Sequence, residues 1–236
     1  MTMKRISRYI SSGIHKRSFY YKAVLLLFIF LFSTGLLHAH VVVRELENMS
    51  KTDTAVLYLK LGYKHILPLG LDHILFVVSL FLLSARLKPL LWQSFTFTIA
   101  HSITLGLAMY NVIRIPASVV EPLIALSIMY VALENVFVKK LRTSRIAVVF
   151  LFGLIHGLGF AGALSSLGLP QNAYLTSLVM FNVGVELGQL TVILIAFLLI
   201  GKWFGNKPYY HKYFVTPLSL VIAAIALFWV IQRTLL

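Results

Sequence analysis

The sequence predicts an all-α membrane protein: a polytopic helix bundle of six transmembrane helices that follow an N-terminal signal peptide or signal-anchor helix. Hydrophobic residues make up 59% of the 236 residues and charged residues only 12%, whereas soluble domains contain about 45–50% apolar and about 25% charged residues. The mean hydropathy is +0.89. Apolar runs of about 20 residues recur along the chain, and a helix of that length crosses a ~30 Å hydrocarbon core.

The N-terminus has the features of a secretory signal peptide over residues 1–39. Residues 1–22 contain six basic residues and no acidic one, the run Ala23–Leu37 is apolar, and Ala39 is a small residue suited to cleavage. An uncleaved signal-anchor helix is the alternative. If cleavage follows Ala39, His40 becomes the first residue. Its amine and imidazole then form a chelate that copper favours, which makes His40 a candidate N-terminal metal site.

Two segments follow the predicted signal. Residues 40–64 are mixed and polar and too few for a domain, so we interpret them as a short external segment. Residues 65–236 form the predicted six-helix transmembrane domain, in which charged and proline-containing interruptions separate the apolar runs. These six runs cover residues 66–84, 90–110, 116–138, 145–167, 173–200 and 214–232.

Basic residues in the loops predict the orientation of the bundle. The loops after the first, third and fifth runs hold nine basic residues, whereas the other two loops between runs hold Arg114 alone. Because cytoplasmic loops are enriched in Lys and Arg, we expect these nine in the cytoplasm, with the C-terminus outside. Their position also explains the net charge of +14 and argues against nucleic-acid binding. The nine are Arg86, Lys88, Lys139, Lys140, Arg142, Arg145, Lys202, Lys207 and Lys212.

Ionisable residues inside the apolar runs are the strongest functional signal. A charge at the bilayer centre costs roughly 2.5–3.5 kcal/mol on insertion scales, so such residues face a protein interior and usually have a partner. Because the chain has no cysteine, a metal site must use nitrogen and oxygen ligands, a set that suits nickel, cobalt, zinc and copper. The candidate metal ligands are Asp72, His73, His101, His156 and Glu186.

Other polar residues are candidates for orienting these ligands or lining the path of an ion. Asn182 and Gln189 share one helical stripe with Glu186, because the three are spaced i, i+4 and i+7. Asp72 beside His73 has the arrangement in which a carboxylate orients a metal-binding imidazole. For any single histidine, a hydrogen bond between helices is the simpler explanation. The candidate supporting residues are His65, Ser102, Glu121, Asn182 and Gln189.

Five motifs occur in order along the apolar runs. They are HILPLGLDHILF at 65–76, FTIAHSITL at 97–105, VEPLIALSI at 120–128, FGLIHGLGFAG at 152–162 and FNVGVELGQL at 181–190. Together they resemble the HupE/UreJ family of bacterial membrane proteins over about residues 62–232. The resemblance is to a divergent branch, because this chain keeps only His156–Gly157 of a longer two-histidine element found in the family's nickel permeases.

The resemblance implies transport of a divalent metal ion, nickel or cobalt, across the bacterial inner membrane, which is the expected location of the protein. The ligand types leave zinc and copper as alternatives. The expected partners are the lipid bilayer, the metal ion as substrate and metalloenzyme maturation proteins, since the family is associated with hydrogenase and urease maturation. The residues leave two other functions open. One is an intramembrane metal-dependent hydrolase, in which three histidines, an aspartate and Ser102 hold zinc and activate a water. The other is an accessory or scaffold protein without chemistry of its own.

Overall fold

The computed structural model describes residues 49–139, 141–167 and 173–235. The predicted signal segment and His40 lie outside these residues. The described part of the chain is helical and contains no strand. Its main helices are α1 (Lys51–Ile66), α2 (Leu71–Leu83), α3 (Leu87–Met109), α4 (Ala117–Phe137), α5 (Arg145–Leu167), α6 (Tyr174–Ala196) and α7 (Thr216–Leu235).

Four helices are long and apolar enough to cross a membrane: α4, α5, α6 and α7, the last two extended by π-helical turns to Tyr174–Phe204 and His211–Leu235. Helices α1 and α2 together qualify as a fifth span with a bend of 68°. Helix α3 has 23 residues, but its polar side chains lower its mean hydropathy, and it is not among the candidate spans. The prediction of an α-helical membrane protein is therefore confirmed, with four or five candidate spans among the described residues.

Helix α1 occupies most of the segment that the sequence indicated as external. Ser50 caps its N-terminus by accepting a hydrogen bond from the backbone N–H of Asp53 at 3.1 Å. Gly62 lets α1 lie directly against α6, because a Cβ there would overlap the carbonyl oxygen of Phe181. The compact unit of the described chain accordingly begins at Met49. The buried stripe of α1 consists of Thr54, Tyr58, Gly62 and Ile66.

The helices pack mainly in pairs: α1 with α6, α3 with α5, and α4 with α7. Helix α2 contacts both α4 and α6, so it lies between two of these pairs. Large apolar side chains such as Trp92, Leu151 and Phe228 are exposed on the outside, as expected for a surface that faces lipid. The position of α2 brings its first turn, with His73, into the middle of the bundle, where His73 is buried.

A buried ionic network closes the end of the bundle where α4 ends and α5 begins. Arg145, which the sequence grouped with the loop cations, is the first residue of α5 and is only 1% exposed. Its guanidinium lies 3.1 Å from the Glu134 carboxylate and donates to Asn135 Oδ1 at 3.1 Å. Asn135 Nδ2 donates to the Ser79 carbonyl oxygen at 2.7 Å. The His211 Nε2–H donates to the Asn135 carbonyl oxygen at 3.0 Å, which extends the network to the segment before α7.

Candidate metal centre

Three histidines from three helices meet inside the bundle: His65 near the end of α1, His73 in the first turn of α2, and His101 in α3. One ring nitrogen from each lies within 4.8 Å of the other two. His73 and His101 are buried and His65 is partly buried. The bend between α1 and α2 makes this possible, because it turns the chain so that the rings of His65 and His73 face each other with centroids 4.6 Å apart.

The ring nitrogens of this cluster lack partners. The Nε2 atoms of His65, His73 and His101 are buried without a hydrogen-bond partner in the described part of the chain. For His101 the tautomer follows from its neighbour. Asn182 Nδ2 donates to the Leu178 carbonyl oxygen at 2.8 Å, which turns Asn182 Oδ1 toward His101 Nδ1 at 3.1 Å. Because an amide oxygen only accepts, Nδ1 carries the proton and Nε2 keeps a lone pair. Metal-binding imidazoles are oriented in this way.

A fourth imidazole, His156 of α5, stands beside the cluster with its ring centroid 5.0 Å from that of His73. The Ser127 hydroxyl donates its proton to the Ile124 carbonyl oxygen at 2.6 Å. It therefore accepts a hydrogen bond from the His156 Nε2–H at 2.9 Å. This leaves the buried Nδ1 of His156 as a lone-pair donor with no partner among the described residues.

Phenylalanine rings form the walls around these imidazoles. The Phe97 ring centroid lies 5.8 Å from His73 and 5.0 Å from His156. Phe160 lies 3.9 Å from His65. Apolar walls lower the local dielectric constant, which strengthens the attraction between a bound cation and the nitrogen lone pairs.

Helix α5 lies very close to α3 at the level of the histidines. Gly157 follows His156, and a Cβ at Gly157 would overlap the carbonyl oxygen of His101 and the hydroxyl of Thr104. The Thr104 hydroxyl also donates to the Leu154 carbonyl oxygen at 2.7 Å, which links the two helices. A glycine at this position is therefore needed for His101 and His156 to sit on helices in direct backbone contact.

A cavity of about 750 Å³ connects His65, His73 and His156 with the surface. Asp72 in its wall accepts two hydrogen bonds from Arg233, at 3.0 and 3.1 Å. Arg233 also donates to the Glu121 carbonyl oxygen at 3.2 Å. The side chains of Arg233 and Asp72 are 19% and 26% exposed, so this ion pair lies on the surface side of the buried histidines. Titratable residues in the wall include His65, Asp72, His73, Glu121, His156 and Arg233.

Helices α3 and α6 are joined by three polar contacts in register. His101 pairs with Asn182, the Thr98 hydroxyl donates to the Glu186 carboxylate, and Ser94 contacts Gln189 at 2.7 Å. The partners follow i, i+4, i+7 on α3 and the reverse order on α6, so the two helices run antiparallel. The contacts use the polar stripe of α6 that the sequence predicted.

Glu186 is separated from the histidine cluster by this register. Its carboxylate is held by Thr98 and by Ser94 at 3.2 Å, and it lines a different cavity of about 370 Å³ between α3 and α6. Ser102 lines that cavity too, and its hydroxyl donates to the Thr98 carbonyl oxygen at 2.6 Å. Neither side chain belongs to the group of nitrogens within 4.8 Å of one another.

The structure thus brings together part of the predicted site. Two predicted ligands, His73 and His101, are joined by His65, which the sequence indicated only as a supporting residue. His156 lies next to them, whereas Asp72 is bound to Arg233. Sequence reasoning missed Ser127, Phe97 and Arg233. Of these, Arg233 carried a usable signal, because it is an arginine close to the end of the last apolar run.

Comparison with known proteins identifies the family of the chain. No curated protein and no solved structure gives a match to this chain. A family model described as "HupE / UreJ protein" matches residues 43–233, which include all seven helices except the end of α7. A match over that much of the chain shows the family, and we conclude that this protein belongs to the HupE/UreJ family.

Proposed function

We propose that the protein is an inner-membrane permease for a divalent metal ion, nickel or cobalt, and that His65, His73 and His101 bind the ion in transit. The observation that carries this proposal is the set of buried Nε2 atoms without partners. A buried polar atom left unpaired costs about 1–3 kcal/mol. His65, His73 and His101 each carry one such atom, and one ring nitrogen from each lies within 4.8 Å of the other two. This arrangement favours a ligand that bonds to all three residues together, as a metal ion does.

The donor set and spacing support an ion of the nickel and cobalt type. Imidazole nitrogens suit nickel, cobalt, zinc and copper, whereas magnesium and calcium prefer oxygen ligands. Imidazoles on one ion bind at about 2 Å, which puts their nitrogens roughly 3–3.5 Å apart. Nitrogens within 4.8 Å of one another therefore need to close by at most about 1–2 Å to share one ion. His156 is the nearest candidate for a fourth ligand.

The length and the burial pattern of α3 support a six-span topology in which α3 is the sixth span. A helix of 23 residues is about 35 Å long, enough to cross the hydrocarbon core. Its polar residues Gln93, Ser94 and Thr98 are buried, whereas Phe95 and Ile99 on the other side are exposed. If α1 and α2 form one broken span, the bundle has six spans. Six spans together with the loop charges favour a C-terminus outside the cell, after an N-terminal signal that is either cleaved or kept as an anchor.

Transport through this site needs a driving force from outside the chain. A membrane potential of 100 mV offers about 4.6 kcal/mol to a divalent cation, twice the value per single charge. We propose that the ion comes from the outside through the cavity lined by Asp72 and Glu121 and leaves toward the cytoplasm. Metalloenzyme maturation proteins would receive it there.

The proposal predicts that His73→Gln lowers metal accumulation. Cells that express the variant should take up roughly tenfold less nickel or cobalt than cells with the wild type, because one of three nitrogens is lost. Elemental analysis of washed cells gives the uptake, with membrane levels of the protein matched by immunoblot. His211→Gln is the control, since His211 lies outside the cavity. Equal uptake by wild type and His73→Gln would contradict the proposal and favour a scaffold.

The ion pair of Asp72 and Arg233 should limit access to the histidines. Arg233 places a positive charge in the cavity and occupies the carboxylate that would otherwise attract a cation. We expect Arg233→Gln to raise initial uptake at low metal concentration by roughly tenfold, the lower end of electrostatic focusing effects. Asp72→Asn should lower it. Arg114→Gln removes an exposed arginine outside the cavity and should leave the initial uptake unchanged. An unchanged rate in Arg233→Gln would rule out this role.

A further inference from the structure

A second polar cavity lies at the other end of the same helices. Its volume is about 580 Å³. The chain between α2 and α3, the chain after α4, and the segment between Gly205 and Val215 before α7 form its walls. The histidine cavity involves the starts of α2 and α4 and the end of α7, so the two cavities open at opposite ends of the bundle.

Positive charge from three separate segments converges on this second cavity. Arg86, Lys139 and Lys207 line it together with His211, and none of its lining residues is acidic. Among the described residues the three cationic side chains form no ion pair. Like charges around one cavity repel each other, and an anion between them removes this cost.

The rule that places basic residues in the cytoplasm explains their side of the membrane, but not their convergence on one cavity. Two neighbouring lysines show the contrast. Lys202 and Lys212 belong to the same region, yet their ammonium groups lie over Trp203 and Tyr213, 5.2 and 5.5 Å from the ring centroids. Neither lysine lines the cavity. The cations of the cavity are therefore a distinct set.

The buried ionic network holds one part of the cavity wall, His211, in place. His211 donates from Nε2 to the Asn135 carbonyl oxygen at 3.0 Å, and Asn135 Oδ1 accepts two hydrogen bonds from Arg145. A wall held in this way loses little conformational freedom when a ligand binds, which favours binding.

Aromatic residues near the cavity indicate its depth in the membrane. Trp203, Tyr209 and Tyr213 are exposed close by in the sequence, and exposed Trp and Tyr are typical of the level of lipid headgroups. Basic cavities between helices on the cytoplasmic side bind phosphate-bearing headgroups. We propose that the cavity lined by Arg86, Lys139, Lys207 and His211 binds a phosphate-bearing anion, either the headgroup of an anionic phospholipid or free phosphate.

The test is binding to the delipidated, purified protein. Native mass spectrometry measures retention of phosphatidylglycerol against phosphatidylcholine with the same acyl chains, and calorimetry measures inorganic phosphate. We expect a single preferred phosphatidylglycerol, held roughly 30-fold more weakly by Arg86→Gln/Lys207→Gln, at about fivefold for each cation removed. Stoichiometric phosphate binding without a lipid preference, weakened by the same variant, would support the proposal with free phosphate as the source.

The matched control is Lys202→Gln/Lys212→Gln, which removes two charges from the same region outside the cavity. It should retain phosphatidylglycerol as the wild type does. Equal weakening in both double variants would overturn the proposal, because it would show only general attraction to a basic surface. Wild-type protein that binds neither phosphate nor phosphatidylglycerol above the level of phosphatidylcholine would overturn it too.

Discussion

His101→Gln should lower the affinity of the purified protein for nickel or cobalt by at least about 100-fold. The substitution removes a buried ring nitrogen, Nε2, that has no partner among the described residues, and it leaves two imidazoles in the cluster. Loss of a partner that only orients a ligand typically costs about 10–100-fold in metal affinity, so loss of the ligand should cost more. Calorimetry in detergent measures the affinity, with a purification tag that contains no histidine.

Asn182→Leu tests the orientation of His101 separately. The Asn182 side chain fixes the Nδ1–H tautomer by accepting at 3.1 Å, and its loss should weaken binding by about 10–100-fold while the stoichiometry stays the same. His211→Gln is the matched histidine control and should bind as the wild type does, since His211 hydrogen bonds in a different network. Wild-type affinity in His101→Gln would remove the metal centre from the proposal.

A site made of neutral imidazoles suits transport better than tight storage. No carboxylate belongs to the group of described ligand atoms within 4.8 Å of one another, so a bound divalent ion would keep its full charge. Conduction requires binding that is favourable enough for the ion to arrive and weak enough for it to leave. Asp72, a carboxylate in the wall of the cavity, is already paired with Arg233. Both features keep the bound ion exchangeable.

The sequence predicted the helical class and the most apolar spans because these depend on local composition. Helices α4 to α7 coincide closely with four of the predicted apolar runs. Helix α1 was missed because its lysines at 51, 60 and 64 make the segment look like a polar loop. In the structure these lysines are exposed, and the stripe that contains Tyr58 and Gly62 faces α6. Which face of a mixed helix is buried depends on its neighbour.

The site residues could likewise be predicted only in part, because their positions also depend on neighbouring helices. The cost of intramembrane charge was enough to identify His73, His101 and His156 as inward-facing, and all three are buried. Glu186 shares a stripe with Asn182, but residues four apart lie about 6 Å apart along a helix. In the register of α3 against α6, Asn182 therefore hydrogen bonds to His101, and Glu186 hydrogen bonds to Thr98. Helix register is a tertiary property that spacing within one helix does not contain.

Glu134→Ala should cause the largest loss of stability of any single carboxylate substitution considered. It leaves the guanidinium of Arg145, which is 1% exposed, without its counter-ion. Removing one partner of a buried pair costs about 3–5 kcal/mol. At about 2–4 °C for each kcal/mol in a chain of this size, the unfolding midpoint in detergent should fall by roughly 10 °C. Thermal unfolding followed by intrinsic fluorescence measures the shift.

Two further variants decide whether the ion pair is the cause. Glu121→Ala removes an exposed carboxylate from the same helix and should shift the midpoint by little, because surface substitutions usually change stability by less than about 0.5 kcal/mol. Glu134→Ala/Arg145→Met removes both charges and should recover part of the loss, since an apolar side chain of similar length carries no desolvation cost. If the double variant is no more stable than Glu134→Ala, the loss comes from packing and from the bonds of Arg145 to Asn135 rather than from an uncompensated charge.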